Sequence, residues 1–256
     1  MPEISPRAVV AETAELADDV VVGPFCHVGP EVRIASGCVI QNNVTLVGRT
    51  TLGQGCRVFP LAVIGAPAAD RTGGGECILG EANAIREHVT ICAGSETPTR
   101  IGNHNLIMIA SQVGSGAVVG DHGIFDNCSR IGTGAVVGDY VRTSGFAVVG
   151  DGARLGAYSF VAAFGGVVHD APPYAMLQGF PVRVRGVNTR NLRACGFDGE
   201  DIQALKRAFR ELFNGPENQV NPDALGRLAG EKDLNPHVRK LLEAVAAADA
   251  REAGDD

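Results

Sequence analysis

The chain has 256 residues, 34 glycines, no tryptophan and a formal net charge of -7 at neutral pH. That length suits one large domain with a small appendage, and the acidic balance excludes general nucleic-acid binding. No apolar run is long enough to span a bilayer, and the start, Met1-Pro2-Glu3-Ile4-Ser5-Pro6, lacks the basic and apolar regions of a secretion signal, so a cytoplasmic protein is expected.

From the start of the chain, an aliphatic residue recurs every sixth position: Val10, Leu16, Val22, Val28, Ile34, Ile40, Leu46, Leu52, Val58 and Ile64. A short second run holds Leu79, Ile85 and Ile91. The longest run goes from Ile101 to Val167, and only Phe125 and Thr143 in it are not Ile, Leu or Val. Glycine follows the repeat residue at 102, 114, 120, 132, 138, 150 and 156. A period of six is neither helical nor a simple strand alternation, and it is the signature of a parallel β-helix. Each hexad supplies one flat face and one corner, with the aliphatic side chain pointing inward. The glycine is expected to take positive φ at the corner. If three hexads close one coil, residues 1–174 make about eight coils and a prism roughly 40 Å long. The low aromatic content suits an interior too narrow for large rings.

Two segments break the period. One lies between Ile64 and Leu79 and contains Asp70; the other lies between Ile91 and Ile101. Both must leave the coil as loops, and insertions in repeat proteins favour a functional face. Cys26, Cys38 and Cys56 each stand two residues before a repeat position and read as small core fillers, with the seven cysteines free in a reducing compartment.

The repeat stops at His169-Asp170-Ala171-Pro172-Pro173-Tyr174, where two prolines cannot donate to a ladder. Residues 175–256 form a second unit. Ala175 to Asn188 reads as irregular, with Gln178-Gly179-Phe180-Pro181 as a turn. Asp198 then caps a helix whose apolar stripe is Ile202, Leu205, Phe209 and Leu212, and Gly215-Pro216 stops it. Asn221-Pro222 and Asn235-Pro236 each place a cap before a proline at the first helical position. The segment from Ala246 to Asp256 is polar and Ala-rich and is expected to fray.

The motifs narrow this fold class. His27-Val28-Gly29-Pro30, Ile85-Arg86-Glu87-His88-Val89-Thr90-Ile91, Asn105-Leu106-Ile107-Met108-Ile109, Asp170-Ala171-Pro172-Pro173-Tyr174, Gln178-Gly179, Gly186-Val187-Asn188 and Gly196-Phe197 occur in order. Across nearly its whole length the chain resembles the hexapeptide-repeat UDP-N-acetylglucosamine O-acyltransferases of lipid A biosynthesis. The resemblance implies an all-β solenoid, a left-handed parallel β-helix with a C-terminal α-helical tail, in a homotrimer with clefts between adjacent prisms. It implies 3-hydroxyacyl transfer from acyl carrier protein to a UDP-amino sugar. No metal and no cofactor are implied.

The resemblance also marks a departure. The family's general-base histidine falls on Ser115, a second active-site histidine on Gln112 and a third on Gly150. A base must take the proton from the attacking sugar hydroxyl, a task worth roughly 10²- to 10⁴-fold in rate, and a lone serine is too weak an acid-base group for it. His169, beside Asp170, is the candidate replacement base. Asp70 and Asn188 match substrate-contacting family positions, while the acid and base that follow fall on Arg190 and Ala194. Arg183, Arg185, Arg190, Arg193, Lys206, Arg207 and Arg210 form a basic cluster that could steer an acidic carrier protein or simply be a solvated face. Three readings stay open: a divergent acyltransferase with altered or lost catalysis, a trimeric protein that only binds a nucleotide sugar or acyl chain, and a CoA-dependent hexapeptide acyltransferase.

Overall fold

A computed structural model describes residues 1–68, 75–215 and 220–252. Strands of mostly two residues stack in parallel into three sheets that form the faces of a triangular prism. Face A starts at Glu3–Ile4, face B at Val9–Val10 and face C at Glu15–Leu16, and every third strand in sequence returns to the same face. Face B holds nine strands, so the solenoid makes nine turns, one more than the repeat spacing suggested. All nine rungs of face B, from Val10 to Val167, are repeat residues, and Glu3–Ile4 opens face A by pairing with Val21–Val22.

The hexad residues point inward as expected. Ile40, Leu46, Leu52, Ile64, Leu79, Ile85, Ile91, Ile107, Ile131 and Leu155 are fully buried. Each contributes about 1.5–3 kcal/mol relative to exposure. Cys26, Cys38 and Cys56 are buried, free and packed in the same core. The interior is less restrictive than its composition suggested, because the Phe125 ring is fully buried. Gly123 makes the room: a Cβ there would lie 2.6 Å from that ring. Thr143, the other departure in the ladder, is satisfied by the Asp126 amide and the Ser129 hydroxyl.

The repeat glycines serve a different purpose from the one expected. Those at 102, 114, 120, 132, 138, 150 and 156 do not take positive φ. They let the next coil come close: a Cβ would lie 2.6 Å from the Thr133 nitrogen at Gly114 and 2.3 Å from the Pro173 nitrogen at Gly156. The positive-φ residue falls two places later, as at Gly116, Gly134 and Gly152 or at His104, His122, Tyr140 and Tyr158.

The prolines at 172 and 173 end face C, where only the isolated bridge Leu155–Ala171 follows the last strand. Face A continues. Residues 175–188 are not irregular: Ala175–Gln178 adds in parallel to Phe160–Val161, and Arg183–Val187 returns antiparallel through the Gln178–Pro181 turn. This hairpin covers the growing edge of the sheet. A six-residue helix α1 (Thr189–Ala194) follows, then α2 (Gly199–Leu212) capped by Asp198. Next come α3 (Pro222–Ala229), capped by Asn221, and α4 (Pro236–Glu252). The expected fray is not seen as far as Glu252, because Arg251 ties the last turn of α4 to Asp170 at 2.7 Å. No helix among the described residues is long and apolar enough to cross a membrane.

Candidate functional site

The three corners of the prism have different chemistry, and the predicted site residues fall mainly on one. The turn from face B to face C carries both breaks in the hexad period. The first leaves Val63–Ala66 and rejoins at Glu76–Leu79; the second leaves Thr90–Cys92 and rejoins at Thr99–Ile101. Gly94 of the second bridges Glu76 beside the first. Asp70 lies outside the described residues, within the first break. Ser115 occupies the same corner in the very next coil, between Gln112–Val113 on face B and Val118–Val119 on face C.

The second insertion is built onto Ser115. The Ser115 hydroxyl, 7% exposed, donates to the Ala93 carbonyl at 2.9 Å. The fully buried Thr99 hydroxyl donates to the Cys92 carbonyl at 2.7 Å and accepts the Gly116 amide at 2.8 Å. A Cβ on Gly116 would lie 2.9 Å from the Thr97 hydroxyl. These hydroxyls hold a loop and are not aimed at solvent. Burial pushes the Cys92 thiol pKa up, so it is neutral at neutral pH and supplies no base. Gln112 is exposed on face B, with Thr90 and Arg130 as its register neighbours.

Further along this corner, the chain places Gly150 two coils beyond Gly114. A side chain at 150 would meet the Val167 carbonyl at 3.1 Å, so this corner holds no room for a larger residue unless a neighbour gives way. Asp151, beside it, accepts from the Thr133 amide at 2.9 Å and from Arg130 at 3.3 Å. His169 is exposed after Gly166–Val167, the last strand of face B, three coil steps beyond Gln112–Val113. Three steps of about 4.8 Å put it roughly 14 Å from Ser115 along the prism axis. The carboxylate of Asp170 accepts the Arg154 amide at 2.8 Å and Arg251 at 2.7 Å.

Asn188 is on another corner. Its side-chain amide donates to the Tyr158 carbonyl at 2.8 Å, on the turn from face C to face A, and its oxygen caps α1. Within one chain the structure therefore gathers Gln112, Ser115, Gly150 and His169 along one edge and leaves Asn188 across face C from them. Sequence reasoning missed Ala93, Thr97 and Thr99, the backing of Ser115. The second period break, one coil upstream, was the signal for them.

Comparison with known proteins agrees with this architecture. Residues 4–48 match the bacterial transferase hexapeptide (six repeats) model, and residues 170–253 match the model of UDP N-acetylglucosamine O-acyltransferase, domain 2. The chain is 35% identical over 253 residues to an acyl-(acyl-carrier-protein)–UDP-N-acetylglucosamine O-acyltransferase of Thermodesulfovibrio yellowstonii, covering 96% of this chain and 97% of that one. It is 43% identical over 219 residues to the enzyme of the same name from Saccharophagus degradans, covering 83% and 85%. The solved structure of LpxA from Acinetobacter baumannii superposes with a TM-score of 0.88 at 28% identity, covering 96% of this chain and 97% of that one. From the nine-turn prism to the helical tail, the chain belongs to the acyl-(acyl-carrier-protein)–UDP-N-acetylglucosamine O-acyltransferase family.

Proposed function

We propose that this protein is a homotrimeric family member that engages a 3-hydroxyacyl carrier protein and a UDP-amino sugar, with its acid-base chemistry altered or lost. The observation that carries this reading is the Ser115 hydroxyl, which donates into its own chain; the resemblance aligns this position with the family's base. Its proton is committed to Ala93, and a serine cannot accept a sugar hydroxyl's proton at neutral pH. His169 is too distant along the prism to act on a centre at Ser115, so as a base it would serve a differently placed substrate.

Left-handed coiling and the division near residue 174 belong to the same reading. A trimer accounts for the third corner, from face A to face B. There Phe25, Leu61, Phe146 and Phe164 stand 58%, 46%, 54% and 69% exposed, an apolar line that association of prisms would cover. In this arrangement the clefts lie between neighbouring chains and unite groups that a single chain keeps on separate corners. Asp70, Gln112, Gly150 and Asn188 are the positions assigned to substrate. Arg183, Arg185, Arg190, Arg193, Arg207 and Arg210 are exposed on the tail and supply positive charge for an acidic carrier. The compartment of such a reaction is the cytoplasm.

The test follows binding and product separately. Full-length protein is mixed with UDP-N-acetylglucosamine and 3-hydroxyacyl carrier protein, and its mass is read by light scattering. Binding by a trimer with slow or no turnover supports the proposal. Turnover at a normal family rate refutes loss of the base. A stable monomer at micromolar concentration refutes the shared cleft.

A further inference from the structure

Two places before each ladder residue of face C, the inner column takes a small side chain. From one coil to the next it reads Thr50, Cys77, Thr99, Ala117, Ala135 and Ala153, and all six are buried. A hydroxyl in such a column destabilises the fold unless it is hydrogen-bonded. In these six rungs hydroxyls stand only at Thr50, in the coil before the first insertion, and at Thr99, where the second insertion rejoins. Their bonds differ. Thr50 serves its own turn, donating to the Val47 carbonyl three residues back at 2.6 Å. Thr99 spans the insertion and reaches the next coil: it donates to the Cys92 carbonyl at 2.7 Å and accepts the Gly116 amide at 2.8 Å.

The same insertion is also fastened to the root of the first. The Ala93 amide donates to the Ala66 carbonyl at 2.8 Å, and Glu76 and Gly94 exchange amide bonds at 2.9 and 3.0 Å. Three successive coils are thus joined around one buried hydroxyl. The crest of the insertion, Ser95, Glu96 and Thr97, is exposed on the outside of this joint. Thr97 overhangs the rung of Ser115, because a Cβ on Gly116 would meet its hydroxyl at 2.9 Å. Gln112 is exposed on that next coil. Hydroxyl, carboxylate and amide groups on one edge are the donors and acceptors that a polyhydroxyl ligand pairs with.

We propose that the crest of the second insertion is a wall of the sugar site, and that Thr99 is the positioning residue that holds it there. This inference rests on the reading of the Ser115 corner as the place of a UDP-amino sugar, and it adds a residue that no ligand touches. Thr99 is fully buried, so it acts only through its two bonds. One fixes the base of the insertion and the other fixes the backbone beside Ser115. Valine has the same shape and makes neither bond, so it leaves the Gly116 amide and the Cys92 carbonyl without this partner.

Full-length parent, Thr99→Val, Thr99→Ser and Thr143→Val are compared by titration with UDP-N-acetylglucosamine and by amide hydrogen exchange. Thr143→Val is the matched control, because it removes another buried, doubly bonded hydroxyl, from face A. Thr99→Val is expected to weaken binding by about five- to tenfold. It should also speed exchange by about tenfold at the Ala93 and Gly94 amides, which bond to Ala66 and Glu76. Thr143→Val should bind as the parent does even where it melts lower. Thr99→Ser keeps the hydroxyl and should bind within about twofold of the parent. Should Thr99→Val fail to fold, Thr99→Ala removes the same bonds with the residue that the later rungs carry. Parent-like binding by the variant without the hydroxyl overturns the proposal, as does unchanged exchange at Ala93 and Gly94. An equal loss of binding in Thr143→Val overturns it too, because the effect would then be general destabilisation. The parent tells the two failures apart. No binding by the parent refutes the reading of the corner and this inference with it, whereas binding by the parent and equally by Thr99→Val refutes the inference alone.

Discussion

Replacing Ser115 by alanine separates structural from chemical roles for this residue. The variant removes a buried hydroxyl that donates to the Ala93 carbonyl at 2.9 Å and leaves that carbonyl without this donor. Losing one partner of a buried hydrogen bond costs about 1–3 kcal/mol. In a chain of this size each kcal/mol moves the melting temperature by about 2–4 °C, so a fall of roughly 2–12 °C is expected. Any acyl transfer measured from 3-hydroxyacyl carrier protein to UDP-N-acetylglucosamine should stay within about twofold, because the hydroxyl proton is held inside the chain. Ser115→His is the companion. Its imidazole cannot occupy the same buried space, and crowding costs about 1–3 kcal/mol. Where it reaches the cleft it restores a base and raises turnover by about 10²-fold. Calorimetry and a product assay on the same samples decide. A 100-fold loss of turnover in Ser115→Ala with no change in melting would refute the reasoning, because the hydroxyl would then be acting on substrate.

Gly156→Ala should cost about 3 kcal/mol, at the upper end of overpacking, because its Cβ would sit 2.3 Å from the Pro173 nitrogen; Gly55→Ala, with open space but φ of +69°, should cost about 1 kcal/mol in the same melt. Asn188→Ala removes the α1 cap and the bond to the Tyr158 carbonyl and should lower stability by about 1–3 kcal/mol; a loss of UDP-sugar binding without any change in melting would instead mark Asn188 as a ligand contact. Burial, with the neighbouring Tyr158 and Asp201, pushes the Tyr174 phenol pKa up to about 12 from 10.0. The neutral phenol is the form that fits the fold, so its stabilisation is complete below pH 10 and is lost as the pH rises towards 12. Tyr174→Phe should flatten that part of a melting curve taken against pH.

The fold was legible because the period-six pattern is itself the geometry: an aliphatic residue every hexad can only be an inward ladder. The caps at Asp198, Asn221 and Asn235 were legible for a similar reason, since each side chain accepts from an amide in the helix it begins. The glycines were misread because sequence records only the missing side chain. Whether that absence serves a backbone angle or the close approach of a neighbouring coil depends on what lies 18 residues away, as Gly114 against the Gly132 carbonyl carbon illustrates. The terminal hairpin was hidden because Met176, Leu177 and Val184 follow no hexad and pair across a turn instead. At the candidate site, the sequence places Gln112, Ser115 and Gly150 where the resemblance implies histidines. The capture of the Ser115 hydroxyl by Ala93 was not legible there, because it needs the path of an insertion that breaks the repeat.

The stacking of Gln112, Arg130, Val148 and Gly166 in one column of face B has a consequence for how such a protein can change. Groups on an edge of the prism cannot drift along it; they sit on rungs about 4.8 Å apart. Each coil contacts chiefly its neighbours, so one whole rung is the natural unit of insertion or deletion. Excising 18 residues from the corner at Thr133 would return every later residue to its own column. It would lower the end of the ladder by one rung, bringing His169 from three rungs beyond Ser115 to two. Spacing between reactive groups in this architecture is therefore a matter of counting, and a shift that a compact enzyme would reach through many small displacements is here a single discrete step.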